Sequence, residues 1–297
     1  MDFLGRFSGP MKILLTGSTG FVGRHLDSLL RDHLHEVFPL VRGPIQDSKE
    51  IIWDFKGALP QEIPDFDIMI HLAAKVDFNP AADWEIYQAN TLATARLAQL
   101  ARIRKAFFIF ASMAGVHGNS SLITEDSPIR PLGPYAVSKY LAEELVALAL
   151  KEYFILRIGG IYGLDGPLHL TLNRTLTDAY HRKAEVCLKG SGQARRNYIC
   201  VQDVARWIAT LVKEREAGIC RREKILYLAG PQTLTINDYL ASVARTLSGS
   251  RELVVEDVLT EAKDCVIKAT PVELTLTTFE EYLISLKQKR DKNAREA

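Results

Sequence analysis

The sequence predicts an α/β fold built on a doubly wound parallel sheet, and three observations carry that expectation. Apolar runs of strand length alternate with stretches of helical periodicity through the first half of the chain. The runs are nearly continuous in apolar residues, as strands covered by helices on both faces must be. A glycine-rich turn stands between the first apolar run and the first helical stretch. The length, 297 residues, suffices for one large α/β domain or two smaller ones.

Met11 to Thr16 (MKILLT) reads as a start followed at once by a buried strand, so residues 1–10, ending Ser8-Gly9-Pro10, are set aside as an extension or remnant. Further strands are expected over 36–41, 51–54, 67–73, 106–111 and 153–158, with helices over 21–32, 84–101 and 135–151. Pro39 breaks the second strand pattern because it has no N–H for the ladder, and a bulge or an edge-like position is expected there. After about residue 160 the rhythm loosens into Gly and polar turns, with helices near 202–214 and 236–247. An amphipathic helix follows from about Thr278, and its basic end (Lys287, Lys289, Arg290, Lys292, Arg295) reads as a solvated tail.

Composition excludes several classes. Lys and Arg number 37 against 36 Asp and Glu, so the basic excess of a nucleic-acid binder is missing. Apolar residues at 47% and charged residues at 25% exclude wholesale disorder. Cys187, Cys200, Cys220 and Cys265 are scattered, with no C-x-x-C and no histidines at zinc-ligand spacing; neither a disulfide scaffold nor a metal site is expected. No uncharged apolar run approaches the ~18–20 residues of a membrane helix, and no signal peptide opens the chain. A cytoplasmic protein without membrane partners is expected.

The turn Thr16-Gly17-Ser18-Thr19-Gly20-Phe21-Val22-Gly23 lies after the first strand and opens the first helix. There Gly17 allows the tight turn, Gly20 lets backbone N–H groups approach a pyrophosphate, and Gly23 lets the helix pack close to the sheet. Phosphates at such a helix N-terminus meet unpaired donors and a favourable dipole. The second strand ends Leu40-Val41-Arg42 with no carboxylate for a ribose 2′-hydroxyl, and Arg42 suits a 2′-phosphate, so NADP is favoured over NAD. Downstream, Tyr135 and Lys139 stand four apart on a helical stretch and share one face. A nearby ammonium and a positive nicotinamide are expected to bring the phenol down from about 10, so that Tyr135 exchanges a proton with a substrate oxygen while hydride moves.

Gly-x-x-Gly-x-x-Gly followed by Tyr-x-x-x-Lys resembles the short-chain dehydrogenase/reductase superfamily, and further motifs resemble its extended branch, the NAD-dependent epimerase/dehydratase family of nucleotide-sugar enzymes. The resemblance covers nearly the whole chain from Met11. Asp67-Ile68-Met69-Ile70-His71-Leu72-Ala73-Ala74 is similar to the family's D-x-V-x-H-L-A-A, and Leu156-Arg157-Ile158-Gly159-Gly160-Ile161-Tyr162-Gly163 to its L-R-P-G-N-V-Y-G. It implies a Rossmann-type domain over 11–160 and, over 161–297, mainly a smaller C-terminal substrate-binding lobe, with some elements returning to the sheet. The cofactor residues it implies are Gly17, Thr19, Gly20, Phe21, Val22, Gly23, Arg42, Asp54 at the adenine, Leu72, Ala73, Ala74, Tyr135 and Lys139. Asn90 matches a helix asparagine that is mainly structural. Lys75 and Arg196, the latter in Arg196-Asn197-Tyr198, are the implied substrate contacts, with Arg196 at the diphosphate.

Phe110-Ala111-Ser112-Met113-Ala114-Gly115-Val116-His117-Gly118 departs from the family's S-S/T-x-x-V-Y-G. Met113 takes the usual catalytic Ser/Thr position, and a thioether cannot donate a hydrogen bond. Ser112 is therefore the provisional polariser beside Tyr135 and Lys139. The positions of a dehydratase Asp-Glu pair hold Ala114-Gly115, which disfavours dehydration. The function expected is hydride transfer at a ketone or secondary alcohol of a nucleotide-linked sugar, of the 4-keto reductase type. A 4-epimerase retaining NAD and a catalytically weak dinucleotide-binding regulator are the alternatives. A homodimer through the helices at 84–101 and 135–151 is a further expectation.

Overall fold

The computed structural model describes residues 9–79, 84–182, 185–249, 253–256 and 262–296. They form two compact units, one comprising the chain through Gly118 with Pro128–Ile158 and Val204–Tyr227, the other Asn119–Ser127, Gly159–Asp203 and the chain from Leu228.

The main sheet has seven strands: β1 (Lys12–Thr16), β2 (Glu36–Val41), β3 (Ile51–Ile52), β4 (Ile68–His71), β5 (Phe107–Met113), β6 (Tyr153–Ile158) and β7 (Ile225–Leu228). Their order is β7-β6-β5-β4-β1-β2-β3. The pairs from β3 through β6 are parallel, and the Ile155 N–H reaches the Lys224 carbonyl at 2.8 Å to bring in β7. This is the doubly wound order, whose direction reverses between β1 and β4; ligands of such sheets bind beyond the carboxyl ends of the strands at that point. Helices α1 (Gly23–Asp32), α2 (Ala93–Arg104) and α3 (Gly133–Ala149) belong to this unit. One face of the sheet closes on Leu14, Met69, Leu97, Phe108, Phe110 and Val146, all buried.

Pro39 takes an edge-like position. β2 runs in unbroken register against β1, with Glu36 donating to Met11, so residues 38 and 40 face β1 and 39 faces away. On that side β3 pairs only from Leu40 onward, and the missing N–H therefore removes no ladder bond. Two expected strands are shorter than their apolar runs: the third is only Ile51–Ile52, and the fourth ends at His71. β7 went unpredicted, because a four-residue run far from the others carries no periodicity that separates it from a loop.

The second unit closes on Tyr162, Leu176, Tyr239, Leu240, Phe279 and Leu283. Short strand pairs frame it, among them Arg195–Arg196 with Leu234–Thr235 and Ile199–Cys200 with Ile161–Tyr162. The buried Asp203 carboxylate accepts from the Thr277 N–H at 2.6 Å and its hydroxyl at 3.0 Å, tying down the approach to helix Phe279–Glu296. All four cysteines are free. Among the described residues no helix is long and apolar enough to cross a membrane, and no group of three or more His, Cys, Asp or Glu could hold a metal ion.

A Cβ on Gly23 would lie 1.9 Å from the Gly17 carbonyl oxygen, so α1 packs on the turn only because that position has none. Gly23→Ala is expected to cost about 1–3 kcal/mol in urea unfolding, the usual range for overpacking. Gly43→Ala, with open space around it, is the near-neutral control. Equal stability of Gly23→Ala and the parent chain would refute the close-packing argument.

Candidate active site

Gly17 adopts φ +73°, and a Cβ there would stand 2.8 Å from the Ala73 N–H nitrogen, so the turn after β1 lies directly against the backbone after β4. The Gly20 N–H closes the turn onto the Gly17 carbonyl at 2.9 Å. Within the turn the Ser18 hydroxyl is buried with no hydrogen-bond partner among the described residues. A cleft of about 590 Å³ opens beside it, lined by Ser18, Thr19, Arg24, Pro39, Gln46 and Asp47 among others. These features fit a dinucleotide: a turn without room for side chains, an unsatisfied buried hydroxyl, and the start of a ten-residue helix. Phe21 lies under the Arg24 guanidinium at 5.5 Å, and Val22 is the residue before α1. Arg31 holds Asp27 at 3.0 Å and Asp47 at 2.6 Å, which offsets the carboxylates of the cleft. Arg42 is exposed just past β2. Asp54 accepts from the N–H groups of Lys56 (2.8 Å) and Gly57 (2.9 Å), which hold its carboxyl below the usual range and shape the loop after β3.

A one-way chain of hydrogen bonds leads from this turn toward α3. The Ala73 N–H donates to Thr16 Oγ1 (3.1 Å), and Thr16 Oγ1 lies 2.6 Å from His71 Nδ1. His71 Nε2 lies 2.9 Å from Thr94 Oγ1, whose proton goes to the Asn90 carbonyl. That last acceptor fixes every direction: Thr94 must accept from Nε2–H, and Nδ1 must accept from Thr16. Burial, with the Lys139 charge adding to it, drives the imidazole well below its ordinary value and keeps it neutral. Asn90 sits in a π-helical turn, Gln88–Leu92, between the short helix Glu85–Tyr87 and α2. Its amide accepts from the Lys75 N–H (2.8 Å) and donates to the Lys75 carbonyl (2.9 Å) and Ser138 Oγ (3.0 Å). Ser138 in turn donates to the Tyr135 carbonyl at 2.8 Å. Leu72 and Ala73 are thereby anchored over β1, with the Leu72 N–H on the Thr16 carbonyl, while Ala74 is exposed.

α3 begins at Gly133-Pro134, proline being pre-set for a first helical turn. Tyr135 is half-buried, with Phe78 edge-on to its ring at 5.4 Å. Lys139, one turn on, is buried with Nζ 4.1 Å from the centre of the Phe110 ring. Burial pushes the Tyr135 phenol up to about 12, the reverse of the lowering expected from the sequence. Removal from water is the cause of that rise. Burial also brings Lys139 down to about 7, against a smaller opposing pull from Glu143.

Ser112 does not lie free for a reacting oxygen. Its hydroxyl donates to the buried Glu143 carboxylate, which also takes Arg157 Nε (3.1 Å) and Nη2 (2.7 Å). Arg157 Nη1 donates to the Tyr227 hydroxyl at 2.7 Å and lies 3.2 Å from His117 Nε2. His117 Nδ1 faces the Pro128 carbonyl at 3.1 Å and must carry the proton there, so Nε2 accepts from this network. Met113 is half-buried, its methyl group lying over Gly115. The Lys75 ammonium pairs with Glu85 at 2.8 Å. In the second unit Arg195 takes the Asp264 carboxylate at 2.8 Å, while Arg196 donates to the Arg195 (2.8 Å) and Lys263 (2.5 Å) carbonyls.

Glu143, Tyr227 and Arg31 were not singled out from the sequence. Glu143 follows Lys139 by one helical turn, a spacing that signals a shared face. Tyr227 lies on the unpredicted β7, and Arg31 reads as an ordinary surface charge.

Residues 13–223 match the NAD dependent epimerase/dehydratase family, and the chain belongs to it. It is 25% identical to GDP-6-deoxy-D-talose 4-dehydrogenase of Aggregatibacter actinomycetemcomitans, over 71% of this chain and 74% of that protein. It is 27% identical to the dTDP-D-glucose 4,6-dehydratase of Homo sapiens, over 70% of this chain and 67% of the relative. The crystal structure of UDP-glucuronic acid 4-epimerase from Bacillus cereus in complex with NAD has the same fold, with a TM-score of 0.73 at 21% identity over 95% of this chain and 97% of that one.

The Lys139 value fixes the sign of a pH effect on stability. Between about 7 and the unfolded value near 10.4 the unfolded chain binds the extra proton, so stability rises with pH there. Below about 7 the ammonium stays buried and the full cost of burying it remains. Lys139→Met is expected to remove a slope of up to ~1.4 kcal/mol per pH unit in that window, measured by urea unfolding of the chain without cofactor. A slope unchanged by the substitution would refute the assignment.

Proposed function

We propose that this protein is an NAD(P)-dependent oxidoreductase acting at a ketone or secondary alcohol of a nucleotide-linked sugar, of the 4-keto reductase type. The observation that carries this reading is the placing of Tyr135 and Lys139 one turn apart on α3, anchored through Ser138 and Asn90 to the glycine-rich turn. When bound, the nicotinamide supplies the hydride acceptor or donor. Tyr135, kept protonated by burial, is suited to donate its proton to a ketone oxygen as hydride arrives. Lys139 is placed to stabilise the resulting phenolate and to hold the cofactor ribose. Gly17, Thr19, Gly20, Phe21, Val22 and Gly23 would hold the pyrophosphate of a bound dinucleotide, Leu72, Ala73 and Ala74 would line its path, and Asp54 would serve its adenine. Lys75 and Arg196 are the substrate contacts, Arg196 toward a diphosphate.

Ser112 in this reading is an anchor for Glu143 rather than a polariser, because its proton is already committed to a carboxylate. The reacting oxygen then has Tyr135 as its donor. Dehydration is left out of the proposal, since neither Ala114 nor Gly115 can move a proton. Arg42, exposed past β2, favours NADPH through its match to a 2′-phosphate.

The test mixes purified protein with NADPH or NADH and UDP-, dTDP- and GDP-linked 4-keto sugars while the reduced nicotinamide absorbance is followed. Oxidation of NADPH is expected, with Tyr135→Phe lowering kcat about a hundredfold or more while cofactor binding survives. Arg42→Ala is expected to raise KM for NADPH about tenfold and leave that for NADH unchanged. Interconversion of sugars without net oxidation would favour the epimerase. Tight cofactor binding with neither reaction would favour the regulator.

A further inference from the structure

Lys139, Glu143 and Arg157 form a buried set of two cations and one carboxylate, exposed by only 2%, 2% and 5%. Arg157 holds the carboxylate with two nitrogens and Ser112 holds it with a hydroxyl, so one turn past the lysine on α3 its position is fixed from β5 and β6 at once, while Lys139 Nζ lies over the Phe110 ring of the same β5. The charged and titratable groups around Lys139 are few. Its own helix contributes Tyr135 and Glu143, β4 contributes His71, and β6 contributes Arg157 beyond Glu143. From β5 come only the Phe110 ring and Ser112, which carry no charge. His71 is held neutral, so among the described residues the anion opposing the burial of Lys139 is Glu143.

We propose that Glu143 is a positioning residue for Lys139: one anchored carboxylate that serves two buried cations and thereby holds the lysine's proton where Tyr135 needs a positive neighbour. The inference rests on the proposed roles of Tyr135 and Lys139. Arg157 and Ser112 act one step further back, by keeping the carboxylate from turning away. The same arrangement gives the Ser112 hydroxyl a use that does not involve the reacting oxygen.

The test reads Lys139 directly, by NMR of the ε-carbon resonances in ¹³C-lysine-labelled protein without cofactor, with Lys139→Met to assign the signal. In the parent chain the titration midpoint is expected near 7. Glu143→Gln is expected to lower it by about one unit or more. Because that variant leaves Arg157 buried without its partner, Glu143→Leu/Arg157→Met, which removes both charges at similar volume, is measured beside it with the same expected direction. Glu143→Asp is expected to restore most of the parent midpoint. A midpoint unmoved in the double variant overturns the proposal, as does a Glu143→Asp midpoint equal to that of Glu143→Gln. The functional arm is separate: loss of hydride transfer at lower pH in step with the midpoint supports the inference, and loss at an unchanged pH overturns it. If Tyr135→Phe keeps full activity, the catalytic reading fails while the lysine titration still decides whether Glu143 governs Lys139.

Discussion

The site depends on one neutral imidazole that has no freedom in the direction of its hydrogen bonds. His71 ends β4, accepts from Thr16 at the end of β1 and donates to Thr94 on α2. Each partner is buried, and each has its remaining donor or acceptor committed, so reversing one bond would strand another without water to satisfy it. Through Asn90 and Ser138 the same chain reaches the Tyr135 carbonyl. The glycine turn and the tyrosine helix, 118 positions apart from Gly17 to Tyr135 (135 − 17), are therefore set by one polar thread across the carboxyl ends of the strands. The π-helical turn has a place in this arrangement: its wider winding lets Asn90 turn its amide to Lys75 and Ser138 while its carbonyl still meets Thr94.

Behind this thread lies a second layer, and the two differ in electrostatic character. The His71 layer is neutral and acts by direction. The Glu143 layer is charged and acts by field, with Arg157 and Tyr227 carrying it to β6 and β7. Desolvation dominates both Tyr135 and Lys139: the lysine is buried against β5, and the half-buried tyrosine is largely withdrawn from solvent. Such burial costs stability, and the cost is concentrated in the two residues proposed to carry the chemistry. Strained electrostatics of this kind cluster at functional sites.

The legible part of the molecule was the part written in short-range pattern. The strand runs of β1, β2 and β6 match their expected bounds, since continuous apolar runs between helical stretches leave little choice. The glycine turn and the Tyr135–Lys139 pair are equally local, being fixed by spacing alone. What was hidden depends on partners distant in sequence. Ser112 reads as a free hydroxyl until Glu143, 31 residues away, is seen to take its proton. His117 reads as a histidine in place of a tyrosine, and only Tyr227, 110 residues on, shows it to be part of a buried network. The direction of the Tyr135 shift was hidden for the same reason: spacing reveals a charge four residues away but not the water excluded around it.

Met113 and Gly115 carry a consequence for how this site can change over evolutionary time. A Cβ at position 115 would fall 2.3 Å from the Met113 methyl carbon, so the two positions occupy overlapping space. A larger residue at 115 is admitted only if the thioether swings away or is shortened first. Neighbours that share a volume in this way respond to substitution non-additively. The clashing atom is the far end of a flexible side chain, so a side chain gained at 115 would displace the thioether from its present place rather than wait for a substitution at 113. The loop after β5 thus carries one shared volume for two positions, and whichever side chain is larger dictates where the other can lie.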